Sequence, residues 1–385
     1  MENLDFDIAI IGAGPVGLAL ACALDRLAGS SLKVGLFQAD RPDMHNPQRD
    51  TRVLALNHGS RVFLERIHGW PGEHAPIQTV HVSQKGRLGR TIIRHEDFDV
   101  PALGYVVPYR SLHATLQQQV DQGRITRLTG APATLLNDPA SGTVSISQHG
   151  RQYRARIAVQ CDGARPDTRL RDYRQHAIIT SARASLPHQG WAWERFTREG
   201  PLAVLPHPVF PEAQSIVWCT SPERARTLLA ADDATFSREL TEHFGDRLGN
   251  FTVLESRHIF PLALSVAKNT VDGRIATIGN AAQALHPVAG QGLNLGLRDV
   301  AGLLHALHPW LHQVQSDPQT ALSEFADGRR ADRSITRQLT DFMPRIFTTG
   351  NPLVEHACGL SLLALDLAEP LRRPLARHLL QGYRN

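Results

Sequence analysis

The chain has little of what marks several common protein classes. Among its 385 residues the cysteines are Cys22, Cys161, Cys219 and Cys358, and no two of them form a C-x-x-C pair. That argues against a zinc ribbon and against a disulfide framework, and it fits a reducing cytosol. No basic segment precedes the first apolar run, so no signal peptide is expected. There is no internal repeat and no low-complexity tract. Neither sign of charge dominates: the net charge is +4 and the arginines are scattered. Nucleic-acid binding is therefore not expected, although weak peripheral attraction to an anionic membrane surface is allowed. The uncharged stretch Ile8 to Leu24 holds glycines and Pro15 and only just reaches spanning length. Strand, turn and helix explain it better than a transmembrane segment. What remains, 42% hydrophobic and 20% charged, suits a cytoplasmic globular chain with room for two cores.

Glycine is present in two informative clusters. One is Gly279 to Asp299, GNAAQALHPVAGQGLNLGLRD, where glycines, a proline and asparagines precede an apolar helical pattern. Backbone that must closely approach a flat polar ligand needs such a composition. The other is Gly12-Ala13-Gly14-Pro15-Val16-Gly17, which follows an apolar strand (residues 7–11) and precedes a helix through Leu24. It matches G-x-G-x-x-G. Gly12 suits the tight turn, Gly14 lets backbone N–H groups reach a pyrophosphate, and Gly17 lets helix pack on strand. The helix N-terminus adds partial positive charge, and Pro15 fits its first turn. A second strand at Lys33–Phe37 should end in an acidic residue for the adenosine ribose. Gln38 stands there instead, able to accept without charge assistance, with Asp40 as a fallback. Two such turns far apart in one chain suggest one large cofactor gripped at both ends. A dehydrogenase that uses only the first turn is the competing reading.

Along the chain, residues 1 to about 70 look βαβ-like, and 76–107 suggest β structure. Ser111–Val120 reads as a helix, with Leu112, Leu116 and Val120 on one face. Strands are expected near 126–136, 142–148 and 152–160, the last ending in the polar turn Asp162-Gly163. Segments 177–184, 189–198, 201–206 and 214–220 alternate like an antiparallel sheet with one covered face, and they concentrate Trp191, Trp193, Phe196 and Trp218. Residues 222–247 look helical and 251–260 strand-like. A strand at 274–278 leads into the second glycine cluster, and helices follow from about 319. The expected division is a discontinuous cofactor domain (1–75, 101–175, 262–345), a β-rich domain (76–100, 176–261) and a C-terminal helical segment (346–385).

Both glycine clusters, Asp162-Gly163 and the β-rich insert together resemble the FAD-dependent aromatic-ring hydroxylases. More narrowly the chain is similar to the ubiquinone-biosynthesis hydroxylases. Gly279-Asn280-Ala281-Ala282-Gln283, Leu285-His286-Pro287 and Ala289-Gly290-Gln291-Gly292 most resemble the 2-polyprenyl-6-methoxyphenol hydroxylase branch. Trp193 to Thr197, Gly200 to Ala203, Leu205-Pro206 and Ser215 to Cys219 agree. The resemblance covers roughly residues 5 to 345. It implies an α/β fold: a Rossmann-like FAD domain of the p-hydroxybenzoate-hydroxylase type, an inserted antiparallel substrate sheet and C-terminal helices.

The same resemblance implies site residues. Gly12, Gly14 and Gly17 match the pyrophosphate turn. Arg52 matches an arginine near the cofactor phosphates, and its alternative is a surface ion pair. Arg110 opens a helix where the family places a flavin contact, although Pro108 is not the usual neighbour. Asp162 and Gly163 match a motif tied to FAD and pyridine nucleotide. Asn280 stands where most relatives carry an Asp that binds the ribityl chain; the branch it resembles carries Asn there, so the departure agrees with the branch. Pro287 and the turn through Gly290, Gly292, Leu293 and Asn294 are expected against the flavin ring. The N-terminus of the following helix, marked by Leu293, Leu297, Val300 and Leu304, would face the ring's pyrimidine edge, where charge builds on reduction. His286 is a candidate for influencing phenol deprotonation, against a structural hydrogen bond within the turn. His207 and the tryptophans are candidates for lining the substrate cavity.

The implied reaction is reduction of FAD by NAD(P)H, capture of dioxygen, and oxygen delivery to a polyprenylated phenol through a flavin 4a-hydroperoxide. Other ubiquinone-biosynthesis proteins are implied as partners. Two alternatives stay open: hydroxylation of a small soluble phenol, and a flavin-binding scaffold subunit without turnover.

Overall fold

The computed structural model describes residues 4–27, 32–40, 50–138, 141–163, 168–286 and 290–381. The first third runs β1 (Phe6–Ile11), α1 (Pro15–Leu27), β2 (Val34–Ala39), β3 (Val53–Asn57), α2 (His58–Arg66), β4 (Ala75–Ile77), β5 (Thr79–Gln84), β6 (Arg90–Arg94), β7 (Gly104–Pro108) and α3 (Tyr109–Gln122). The middle runs β8 (Thr126–Gly130), β9 (Thr134–Asp138), β10 (Thr143–Gln148), β11 (Arg151–Gln160), β12 (Arg169–Ala184), β13 (Trp191–Phe196), β14 (Pro201–Pro206), β15 (Ala213–Thr220), α4 (Pro222–Ala230), α5 (Asp233–Phe244) and β16 (Phe251–Val253). It closes with β17 (His258–Val266), β18 (Val271–Asp272), β19 (Ile275–Thr277), β20 (Gln283–Ala284), α6 (Gln291–Leu311), α7 (Gln319–Phe347), α8 (Pro352–Leu367) and α9 (Glu369–Gln381).

The first sheet is doubly wound, ordered β18-β19-β11-β1-β2-β8, with β9 and β10 beside β11. β1 is buried along its whole length and pairs in parallel with β2 and β11. A strand covered on both faces requires the unbroken apolar run seen in Ile8–Ile11. α1 packs its apolar face into the same core as α6.

The second sheet, ordered β20-β17-β12-β15-β14-β13-β5-β6, is largely antiparallel, with β5 joining β13 in parallel. One face carries Ile178, Leu202, Val204, Ile216 and Trp218, buried against Leu228, Phe236 and Leu240 of α4 and α5. A small third sheet, β3-β7-β4, lies between the two and shares a core with Ala192 and Leu205.

The fold is the α/β class expected from sequence. Residues 222–247 are helical as expected, divided into α4 and α5 where Asp232 accepts from Thr235 N at 2.7 Å and caps a new start. Two local expectations needed correction. Residues 251–260 are two strands on different stretches of β12. β12 itself begins at Arg169, well before the expected 177, with a bulge between Asp172 and Gln175.

Candidate cofactor and substrate site

The chemistry-bearing turns meet at one edge of the first sheet. Gly12 N donates to Phe37 O at 2.8 Å, Cys161 N to Ile11 O at 2.8 Å, and Ile278 N to Gln160 O at 3.0 Å. The C-terminal ends of β2, β1, β11 and β19 therefore stand side by side, where open α/β sheets bind their ligands.

The three glycines of the first turn have three separate reasons. Gly12 lies at φ +107, and a Cβ there would sit 2.6 Å from the Asp162 Cβ. A Cβ on Gly17 would sit 1.9 Å from the Gly12 carbonyl oxygen, so only glycine lets α1 approach. Gly14 faces open space, with no heavy atom within 4 Å of its would-be Cβ. That room, at a helix N-terminus opened by Pro15, fits a pyrophosphate. His113 of α3 contacts the Ala13 carbonyl at 3.0 Å from the far side.

The second turn is joined to the first through Val16. Would-be Cβ atoms on Gly279 and Gly296 fall 3.0 and 2.7 Å from its Cγ2. Asp299, fully buried, accepts from Gly279 N at 3.3 Å and from Arg329 Nε at 3.0 Å. Arg329 and Arg298 both pair with Asp332, at 2.6 and 2.7 Å. This buried set ties α6 and α7 to the turn. Sequence reading missed Asp299, although it closes the second glycine segment.

α6 starts at Gly290, which is left-handed (φ +60) and carries no side-chain cap. Gly292 faces open space. Those uncapped N–H groups suit an anionic ring edge. Asn294, expected among the cofactor contacts, instead engages protein on all sides. Its Oδ1 accepts from Asn57 N (2.9 Å) and Ser60 Oγ (2.7 Å), and its Nδ2 donates to Ala55 O (2.9 Å) and Gly290 O (2.7 Å). An amide with both donors and both acceptor positions filled holds the start of α6 against β3, and has no hydrogen bond left for a ligand. Leu293 packs against the core beside α1. Pro287, Val288 and Ala289 lie outside the described residues.

Gln38 stands next to last in β2, and its Oε1 accepts from Arg127 Nη2 at 3.1 Å. Asp40 is held through its backbone N–H on Gly130 O. Asp162 is exposed beside Gly12, and Gly163 takes φ +118. Asn280 is exposed in the short helical turn after β19. Arg52 is held by Asp50 through both carboxylate oxygens and lies over the rings of Tyr109 (4.7 Å) and Phe260 (5.5 Å). Arg110 is exposed near the start of α3, and its charge helps lower the pKa of His207, behind burial.

His286 is buried, and its Nε2 lies 3.1 Å from Gln175 Oε1, edge-on to Tyr173 at 5.0 Å. Burial lowers its pKa to about 4, so the ring is neutral near pH 7. The bond to Gln175 ties the turn to β12 rather than closing within the turn. The tryptophans also lie away from the site. Trp193 packs edge-on to Phe244, and Trp218 lies against Phe236 and His243, under α4 and α5.

The opposite face of the second sheet looks toward the first domain. Ile179 pairs with Val217, Ala203 with Val217, Leu205 with Ser215, and Ala177 with Phe260. Side chains directly opposite share a face, so these lie opposite Ile178 and Trp218. Ile179, Ala203, Leu205, Val217 and Phe260 are only partly buried. The Arg52 guanidinium over Phe260 fixes which domain they face. Sequence reading passed over them because the bulky aromatics of the covered face drew attention to the other parity.

This fold and this paired-turn site define an FAD-dependent aromatic-ring hydroxylase. Residues 134–318 match the FAD binding domain family. The p-nitrophenol 4-monooxygenase PnpA of Pseudomonas putida superposes with a TM-score of 0.73 at 16% identity, over 100% of both chains. PqsL of P. aeruginosa gives 0.71 at 20% identity, over 92% of this chain and 99% of that one. Among curated relatives, ubiquinone hydroxylase UbiL of Rhodospirillum rubrum is 32% identical over 97% of this chain and 89% of its own length. The 3-demethoxyubiquinol 3-hydroxylase of Escherichia coli is 29% identical over 99% and 100%. The chain belongs to the FAD-dependent ubiquinone-biosynthesis hydroxylase family. It is an FAD monooxygenase of that pathway, with NAD(P)H the electron donor usual in the family.

Proposed function

We propose that this chain hydroxylates a polyprenylated phenol, converting a 2-polyprenyl-6-methoxyphenol to the 1,4-benzoquinol by placing a new hydroxyl para to the existing one, at carbon 1 in the numbering of the quinone ring. The half-buried apolar face of Ile179, Ala203, Leu205, Val217 and Phe260 carries the reading. A ring with a long apolar substituent needs an apolar wall that the protein does not fill itself. The ring position rests on the resemblance of Gly279–Gln283, Leu285–Pro287 and Ala289–Gly292 to that branch.

Bound FAD, reduced by NAD(P)H, supplies the oxygen-activating chemistry. The residues of this chain have separate tasks around it. Gly12, Gly14, Pro15 and Gly17 hold the pyrophosphate, with Gln38 toward the ribose and Arg52 toward the phosphates. Asp162, Gly163, Gly279 and Asn280 serve the linking chain, and Arg110, Pro287, Gly290, Gly292 and Leu293 border the ring. The α6 N-terminus stabilises negative charge there without a lysine. Asn294 and Asp299 position that helix. The apolar wall excludes water, which protects a reactive oxygen donor from wasteful decay.

A second reading has its own support, since the E. coli relative is named for hydroxylation at carbon 3. Expression in quinone-deficient cells, with identification of the precursor that disappears, separates the two. Rescue only of a strain blocked at carbon 3 would overturn the carbon-1 assignment. Coupled NADPH oxidation with a small phenol but not with solubilised prenyl phenol would overturn the lipid substrate.

A further inference from the structure

The second sheet gathers cations on the face turned away from the cofactor domain. β5 lies between β13 and β6, and Arg195 and Arg90 both stand opposite Ser83. Side chains directly opposite share a face, so Arg195, Ser83 and Arg90 form one row across three strands. His81, two positions before Ser83, stands opposite Trp193 on the same face. Trp193 packs edge-on to Phe244 of α5, which makes this the face that α5 covers. Arg247 comes from the short turn Asp246–Leu248 after α5, and its Nη1 donates to His81 Nε2. A Cβ on Gly245 would lie 3.5 Å from Arg195 Nη2, which sets that same turn beside Arg195.

Among the described residues no carboxylate pairs with Arg90, Arg195 or Arg247. Glu199, Glu242 and Glu239 stand toward Lys85 instead, and Glu239 is bound by Arg224 at 2.5 Å. Burial and then Arg247 lower the pKa of Arg195, and burial and then Arg90 lower that of Arg247. Two donors are also left over. Arg195 Nε is buried without a hydrogen-bond partner. An arginine can only donate, so His81 Nε2 accepts from Arg247 and the ring proton sits on Nδ1. That Nδ1 is buried without a partner too, on a side chain 2% exposed. Like charges held together and buried donors left unmade both cost stability, and a bound anion offsets both. Arg90 and Arg247 are exposed, so the cluster is open to solvent.

We propose that Arg90, Arg195 and Arg247, with His81 beneath them, form a binding site for a phosphate monoester. Such a group brings about two negative charges and three strong acceptor oxygens, and guanidinium forks match its oxygens in pairs. A carboxylate brings one charge and two oxygens, which leaves three arginines under-compensated. The sheet stands between this site and the turns at Gly12 and Gly290, so the ligand is not the FAD pyrophosphate. Arg195 lies within Trp193–Thr197, one of the stretches that carry the family resemblance, and the proposed hydroxylation gives it no task. The site is independent of which phenol the chain hydroxylates.

The test is calorimetric titration of the FAD-loaded full chain in phosphate-free buffer, with inorganic phosphate, AMP and phosphatidate micelles as probes. One saturable site is expected. The melting temperature should rise with the bound probe, and not with chloride or acetate at equal ionic strength. Arg90→Gln and Arg247→Gln should each weaken binding about fivefold, and the pair together at least tenfold, with the flavin spectrum unchanged. In the absence of phosphate, Arg90→Gln should melt above wild type, because it relieves repulsion, whereas loss of a merely structural arginine would lower the melting temperature. Binding of AMP and inorganic phosphate assigns a soluble monoester, and binding of phosphatidate alone assigns a lipid headgroup; either result keeps the site. No binding of any probe, equal binding by the double variant, or equal stabilisation by acetate overturns it.

Discussion

The two glycine-rich turns reach one ligand-binding edge by opposite means. The Gly12–Gly17 turn works by lacking side chains: its backbone meets Asp162 and the base of α1 at distances that leave no room for a Cβ. The turn around Gly279–Gly296 works through buried polar side chains. Asn294 binds it to β3, and Asp299 binds it to α7 through Arg329. A pyrophosphate is met by bare N–H groups, so its turn can be built locally. A helix N-terminus aimed at a ring edge must be held in orientation, which takes partners from distant segments.

The largest way to break this contrast is Gly17→Val. Its side chain overlaps the Gly12 carbonyl, and we expect a loss above about 4 kcal/mol, read as insoluble or unfolded protein by circular dichroism. Asp299→Ala attacks the second turn. It leaves buried Arg329 with Asp332 alone, and urea unfolding should show a loss of about 3 kcal/mol with the first turn intact. Gly14→Val sharpens the comparison, because the protein itself has space there. Its melting temperature should stay close to wild type, a change under about 1 kcal/mol, while the purified protein loses its yellow colour. Retained flavin would refute the assigned pyrophosphate approach.

Acid should loosen the second turn before the first. Burial holds His286 neutral with a folded pKa near 4, below the ordinary 6.5, so the unfolded chain takes up the proton first. The stability from this group is complete above about pH 6.5 and falls toward pH 4 by about 1.4 kcal/mol per pH unit. His286→Gln should flatten that part of a stability-against-pH curve, and an unchanged slope would remove His286 as its source. The smallest effect is expected from Asn280→Ala, which is exposed and outside the packed set. Flavin titration should show affinity several-fold weaker, about 1 kcal/mol, at unchanged melting temperature.

Much of the first turn was legible in the sequence, because its physics is local. An apolar strand, G-x-G-x-x-G and an apolar helix follow one another, and the roles assigned to Gly12 and Gly17 correspond to separate contacts within about a dozen residues and at Asp162. The second turn was legible as composition, but not as mechanism. Asn294 read as a ligand contact, yet its amide is filled by Ala55, Asn57, Ser60 and Gly290. Nothing in its neighbours announces partners more than 230 positions away. The same limit applied to the second sheet, where Trp193 and Trp218 stood out by size and proved to be the covered face.

The sequence alone indicated β1, α1, β2, α3, β11 and α6, the need for glycine at positions 12 and 17, and the family, since these depend on neighbours along the chain. Only the tertiary structure decided which face of the second sheet is left open to the cofactor domain, that Val16 joins the two turns, and that Arg90, Arg195 and Arg247 gather on the face that α5 covers. Period-two and helical repeats mark the two sides of an element but not which side another element will cover, and that choice is made by contacts between segments far apart in sequence.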